Sequence, residues 1–476
     1  MTAVEKEAPP PGAVEQPTSW RRRLLVGAVL AAAIAAPVVL RSATGNSPGL
    51  VLRGDAAWAV VAGVTTTALA LIVLGLVGPR SWHYPANTTG DGDSRDLRID
   101  MVRGVAIVFV ILNHINVASL FQLSSQEALG PVSGAELFVV LSGVVLGMVY
   151  RKRMERADLL AATGALLGRA FKLYRTALAV LVSIFLVTLL PGVDGQVVTT
   201  FTDQGTGRSY ETYPNMERLL DYPVPGYVLR DIALLRVGPF QFNIMGLYVA
   251  LLALAPLVVA ALRRRLVIPL LAVSWGLYVV NTVWPVNLVA SQFEDPFPLL
   301  AWQLLFVHGL AAGWYRHQLL RFYSTRIGKL LLVVIVLAQV AMAVFSWTNP
   351  YLSNAYDVRL ALLPDQTFYA LYNTWFVRPA LGLGRVVDVA LLLVTLFAAM
   401  TAFWKPISSL LGWFLIPIGQ ATLYVFVLHV YFALLIANVP GLDRGHVLLN
   451  SAVHALTLGL LWLMVRKRFL FRFIPR

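Results

Sequence analysis

Arg103 and His114 stand in one apolar stretch of this chain, residues 101 to 122. Eleven residues of α-helix make three turns plus roughly 20°, so the two side chains project from one face about 16 Å apart. A guanidinium grips a phosphate with two parallel hydrogen bonds, and an imidazole takes up a proton near neutral pH. Asp100 precedes Arg103 by three residues, close enough to pair with it or orient it. Arg98 adds a second cation where a phosphate-bearing molecule would arrive from the cytosol. Taken singly, Arg103 also fits a cytoplasmic anchor, and His114 a helix-to-helix hydrogen-bond donor. Ionisable residues inside a membrane span mark function by default, and two on one stripe strengthen that reading.

Further polar residues fall at similar depth. Asn113 adjoins His114. The next apolar segment opens Gly134-Ala-Glu136 and runs on to Ser142 and Gly143. Its Glu136 enters from the external side, where it can orient His114, bind an acceptor hydroxyl or snorkel to the interface, while Ser142 and Gly143 permit close helix packing. Gln241 and Asn243, Gln303 and His308, and Gln420 and His429 lie on three later segments. Each fits a packing hydrogen bond; together they predict a polar cavity through the bundle. Zinc is the rival account of the histidines, but His114, His308, His429 and His454 fall on four segments without the short ligand spacings of a metal site, so no metal is expected.

The elements that position these groups must be membrane spans. Only 13% of the 476 residues are charged, 58% are hydrophobic, and the mean hydropathy is +0.72. Apolar runs of about 20 residues recur along the whole chain, as helices that cross a bilayer require. The expected fold is an all-α polytopic bundle of about twelve transmembrane helices. Spans are expected near residues 24–41, 57–78, 101–122, 132–150, 170–190, 240–262, 266–284, 298–315, 328–346, 386–404, 411–437 and 447–465. Most Lys and Arg fall in alternate connections, which places both termini in the cytoplasm and the protein in the plasma (inner) membrane. The net charge of +14 is then a matter of topology rather than of nucleic acid, and no nucleic-acid partner is expected.

Residues 1–20, with Pro9, Pro10 and Pro11, are expected to be a disordered cytoplasmic tail. Residues 21–94 hold two additional helices and a linker, the first of which also resembles a signal peptide. Residues 95–476 form the core. Its two long external connections, 191–239 and 347–385, carry Tyr210, Tyr213, Tyr222, Tyr227, Tyr369, Tyr372 and Trp375, which suit a lid over a sugar or anchor helix ends at the interface. The chain contains no cysteine, so it offers no disulfide, thiolate ligand or thiol nucleophile.

Several motifs together resemble the OpgC-type membrane acyltransferases of the broader acyltransferase-3 superfamily. They are Arg95-Asp-Leu-Arg-Ile-Asp100 followed by Arg103-Gly104, the Arg103-to-His114 interval, and Gly134-Ala-Glu136-Leu-Phe-Val-Val-Leu-Ser142-Gly143. The likeness continues in Gly238-Pro-Phe-Gln241-Phe-Asn-Ile-Met-Gly-Leu-Tyr248 and Ala301-Trp302-Gln303-Leu-Leu-Phe-Val, and covers roughly residues 95–437. Phe240 stands where a more polar residue is expected, and the stretch from Gln420 to His429 looks closer to membrane acyltransferases in general.

The resemblance implies transfer of an acyl group, succinyl first and acetyl next, from cytosolic acyl-CoA to a hydroxyl of a glycan or glycolipid outside the membrane. Acyl-CoA is then a co-substrate, with no tightly bound cofactor. His114 would act as general base, or pass through an acyl-histidine, with Glu136 beside it as a second catalytic group. Arg98, Asp100 and Arg103 would hold the CoA phosphates. Asn113, Ser142, Gln241, Asn243, Gln303 and His429 would contact substrate, with Glu136, Gln241 and Gln303 at the acceptor or the developing oxyanion. Two other classes use polar groups in a large bundle. A transporter or flippase predicts broken helices at matching places in two halves, and no internal repeat is visible. A lipid-linked glycosyltransferase wants a carboxylate in the first external loop, where only Asp55 stands.

Overall fold

A long apolar segment satisfies its own backbone polar groups only as a helix, and the computed structural model is accordingly a helical bundle. It describes residues 51–85, 95–125, 127–156, 158–202, 208–350 and 358–474. The tail at 1–20 and the span expected near 24–41 lie outside the described residues.

Each of the remaining expected spans contains helix. They are α1 (Gly54–Val77), α2 (Leu97–His114), α3 (Gly134–Arg156), α4 (Leu159–Thr188), α5 (Ile244–Arg263), α6 (Val267–Val283), α7 (Leu299–Trp314) and α8 (Arg326–Ser346). After the short α9 (Asp365–Trp375) come α10 (Leu383–Ala402), α11 (Trp404–Gln420), α12 (Thr422–Ala437) and α13 (Val447–Arg466). Among the described residues, seven helices are long and apolar enough to cross a membrane, or eight if the bent pair α11–α12 is one crossing. The chain is therefore a multi-pass membrane protein. Helix α2 falls short of a wholly apolar span because Arg98, Asp100 and Arg103 occupy its first two turns. Helices α6 and α7 have 17 and 16 residues, too short to match the bilayer core at 1.5 Å per residue.

Three of the expected spans differ from the sequence reading, and each difference shapes the site. Asp96 caps α2 by accepting from the Arg98 backbone N–H, so this helix starts earlier than residue 101. It also ends at His114 rather than near residue 122, because the following backbone is satisfied elsewhere: Ser451 accepts from the Leu120 N–H, and the Arg444 carbonyl accepts from the Ala118 N–H at 2.8 Å. Helix α4 begins at Leu159, capped by Asp158, and carries Arg169, Lys172 and Arg175 near its middle, so the expected start at residue 170 falls inside the helix. The single span expected at 411–437 is instead two helices meeting at 88° around Ala421, with a π-helical turn at Ser408–Gly412 and Pro417 inside α11.

Small residues set the closest helix contacts. A Cβ added at Gly143, Gly147, Gly309 or Gly313 would come within 3.0 Å of backbone across the α3–α7 interface. The two Gly-xxx-Gly pairs thus let the backbones touch, as intramembrane helices do where no hydrophobic force draws them together. Two short antiparallel strands, Thr200–Thr202 with Ser209–Glu211, and the parallel pair Val51–Leu52 with Arg359–Leu360 are confined to the connections.

Candidate active site

Helices α2, α3, α5 and α12 enclose a cavity of about 2580 Å³. Its lining includes Arg103 and Asn113–His114 from α2, Ser142 from α3, Asn243, Tyr248 and Gln241 from α5 and the turn before it, and Thr422 at the start of α12. The cavity continues to Tyr210, Asn287, Asp295, Tyr369, Tyr372 and Arg378 in the connections. Arg103 and His114, read as one stripe, therefore face one space.

His114 is the last residue of α2, where the chain leaves the helix. Its Nδ1 lies 2.8 Å from Nε2 of His429, and the two rings stack with centroids 5.0 Å apart. Nδ1 of His429 bonds the carbonyl oxygen of Phe426, one turn back on α12. A carbonyl only accepts, so His429 carries its proton on Nδ1 and presents a lone pair at Nε2. His114 must then donate from Nδ1, which leaves its own Nε2 lone pair free. Two neutral imidazoles in series on a backbone carbonyl thus fix one tautomer at the cavity wall. His429 itself is 0% exposed, outside the cavity lining, and has both ring nitrogens engaged; it touches His114 rather than a substrate.

Three turns back along α2, Arg103 donates to Thr422 Oγ1 at the α11–α12 break. Arg169 of α4 lines the same end, acts electrostatically on Arg103, and forms no hydrogen bond or ion pair with a described residue. Tyr248 and Ser142 complete this end of the cavity.

Arg98 and Asp100, expected beside Arg103 as phosphate contacts, are engaged otherwise. The Arg98 guanidinium is buried, paired with Asp96 at 2.7 Å, bonded to Thr401 at 2.7 Å, and held between the rings of Tyr84 and Phe397. Arg316 adds a second bond to Asp96 at 2.7 Å. Asp100 takes two hydrogen bonds from Arg95, at 2.6 and 2.8 Å, and one from Gln420 at 3.3 Å, so it pairs with Arg95 and not with Arg103. At i and i+3 on one helix Asp100 can reach Arg103, but the bidentate fork of Arg95 occupies it instead.

Glu136 also differs from expectation. It is 0% exposed and absent from the cavity lining; it pairs with Arg385 at 2.7 Å and accepts from Ser133. Arg385 bridges onward to Glu127 and to the Tyr372 hydroxyl at 2.9 Å. Burial and the Glu127 carboxylate push the Tyr372 phenol above its ordinary value, so it stays a donor. This buried cluster holds α10 and α9 to the start of α3. Gln303 is likewise structural: its amide bonds Ser274 twice, at 2.8 Å each way, within the α6–α7 contact. His308 bonds its own helix at Leu304. Gln241 lines the cavity while donating to the Val197 carbonyl at 2.6 Å. The Asn113 side-chain oxygen is buried with no hydrogen-bond partner among the described residues.

Sequence reasoning missed Arg169, Arg378, Arg385 and Thr422. Arg169 fell one residue before the expected fifth span, and Arg378 and Arg385 fell inside an expected external connection. Thr422 is marked only by the helix break, and no periodicity announces that.

None of the curated proteins compared with the chain matches it. The family model described as OpgC protein matches residues 95–472, and the chain belongs to that family.

Proposed function

We propose that the protein is a membrane O-acyltransferase that moves an acyl group, succinyl first and acetyl next, from cytosolic acyl-CoA to a hydroxyl of an extracytoplasmic glycan or glycolipid. One observation carries the reading: a single cavity joins a two-arginine end to an end lined by Tyr, Asn and Asp, with the tautomer-fixed His114 between them. Membership of the OpgC family supports acyl transfer as the reaction class.

The chemistry follows from the lone pair at His114 Nε2. The acceptor hydroxyl gives its proton to Nε2 while its oxygen attacks the thioester carbonyl carbon. The C–S bond then breaks, and the CoA sulfur takes the proton back from the imidazolium, leaving an ester and the free thiol. Arg103 and Arg169 hold the CoA phosphates three turns away, a distance the flexible pantetheine arm spans. Asn113, beside His114, supplies an amide to the developing oxyanion. Tyr210, Tyr369 and the neighbouring amides receive the acceptor. Ser142, Gln241 and Asn243 shape the passage between the ends.

Arg98, Asp100, Glu136, Gln303 and His429 serve this site through other residues, since each is engaged within the protein. The test is equilibrium binding of succinyl-CoA and acetyl-CoA to detergent-purified protein. Binding by the parent that weakens about tenfold in Arg103→Ala supports the reading, because one charge-assisted contact is worth about that much. A folded parent that binds neither acyl-CoA refutes it and makes solute transport the reading to examine.

A further inference from the structure

Arg378 is the cation the reaction outlined above leaves without a role. It lies just after α9, lines the cavity on the far side of His114 from Arg103 and Arg169, and its side chain is exposed to that space. Its guanidinium forms no hydrogen bond or ion pair with a described residue, whereas the neighbouring Arg385 is fully committed to Glu136 and Glu127. Arg378 and His114 line the same cavity, and the charge of Arg378 is felt at His114 and at Glu136, so its guanidinium stands within electrostatic reach of the reacting imidazole. Glu136 cannot be its partner in the way Arg385 is, because Glu136 is wholly buried behind the Ser133 turn.

An unpaired guanidinium at the wall of a binding cavity calls for an anion, and the planar fork fits a carboxylate with two parallel bonds. We propose that Arg378 binds the free carboxylate of a dicarboxylic acyl group while its thioester lies at His114, and so selects charged four-carbon acyl donors over neutral ones of the same length. The inference rests on the acyltransferase reading and names a selectivity residue within it. The geometry favours the acyl group over an anionic acceptor as the source of that carboxylate. A succinyl chain extends only about 5 Å beyond its thioester carbon, so the cation that reads it must share the cavity with the base and lie within electrostatic reach of it, as Arg378 does. An imidazolium formed next to an unpaired guanidinium is repelled by it; a carboxylate docked on Arg378 offsets that repulsion while His114 holds its proton. Selection should therefore appear in kcat as well as in KM.

The experiment compares hydrolysis of succinyl-CoA and butyryl-CoA by the full-length protein in detergent, for the parent, Arg378→Gln and Arg378→Lys. The ratio of the two kcat/KM values is independent of how much of each variant is folded. The proposal expects a parent ratio that favours succinyl-CoA, falls about tenfold or more in Arg378→Gln, and is partly restored in Arg378→Lys, since Lys keeps the charge without the fork. A ratio unchanged in Arg378→Gln overturns the assignment while leaving acyl transfer standing, and is the result expected if Arg378 meets an anionic acceptor instead. A parent that hydrolyses neither thioester removes the acyltransferase reading and this proposal with it.

Discussion

Replacing His429 separates an orienting partner from a substrate contact. His429→Leu keeps an apolar side chain of similar reach in a position that is 0% exposed, but removes the acceptor 2.8 Å from His114 Nδ1. The Nδ1 proton of His114 is then left unpaired, and the tautomer with the proton on Nε2, which cannot act as base, is no longer disfavoured. Leaving a buried donor unsatisfied costs about 1–3 kcal/mol. At 1.36 kcal/mol per factor of ten, that is about 5- to 150-fold in kcat. The loss should fall short of the ~10⁴ seen when the charged orienting carboxylate of a serine-protease triad is replaced, because the His429 imidazole is neutral and rests on a backbone carbonyl. His429→Gln places an amide oxygen near the site of the lost Nε2 and should stay within about fivefold of the parent, since a neutral acceptor is restored. The assay is steady-state hydrolysis of succinyl-CoA with kcat and KM resolved, run beside a thermal melt. A purely structural role would lower the melting temperature of both variants and leave the kcat of the folded fraction alone. The reasoning is refuted if folded His429→Leu keeps the parental kcat, if the Leu and Gln variants lose kcat equally, or if the loss lies entirely in KM.

Other positions yield shorter predictions. Arg169→Ala should weaken acyl-CoA binding about tenfold, by loss of a charge-assisted phosphate contact; unchanged affinity in a calorimetric titration would remove Arg169 from the donor site. Arg98→Ala, despite its sequence position, should leave acyl-CoA affinity near the parental value and instead lower the melting temperature, because it removes one of the two cations paired with the buried Asp96 carboxylate. Glu136→Ala leaves the buried Arg385 with Glu127 as its remaining carboxylate partner and should cost about 1–3 kcal/mol of stability, read as a drop in melting temperature. Wild-type-like melting of Glu136→Ala would show that the cluster is not a structural staple.

The bundle was legible because the bilayer imposes one rule on every span. Helix-forming apolar runs of the right length announced the helices from α1 to α13, except α9 inside an expected external connection, to within a few residues wherever composition alone governed. The rule failed where polar contacts end or bend a helix: at His114, where the following backbone donates to Ser451 and to the Arg444 carbonyl, and at Ala421, where α11 turns into α12. The stripe of Arg103 and His114 was legible from helical spacing, and both residues line one cavity. Their partners were not, because Thr422 and His429 come from 319 and 315 residues further along the chain. Local charge spacing was misleading in a consistent way. Asp100, three residues from Arg103, was taken by the better-placed fork of Arg95, and Glu136 was taken by Arg385 across the bundle.

The most direct measurement of the central claim is single-turnover hydrolysis of succinyl-CoA by purified protein, with donor binding recorded on the same samples, for the parent and for His114→Ala. The account predicts that the variant loses about 10²- to 10⁴-fold in rate, the usual worth of a general base, while retaining the binding supplied by Arg103 and Arg169. A His114→Ala protein that hydrolyses the thioester at the parental rate would contradict it.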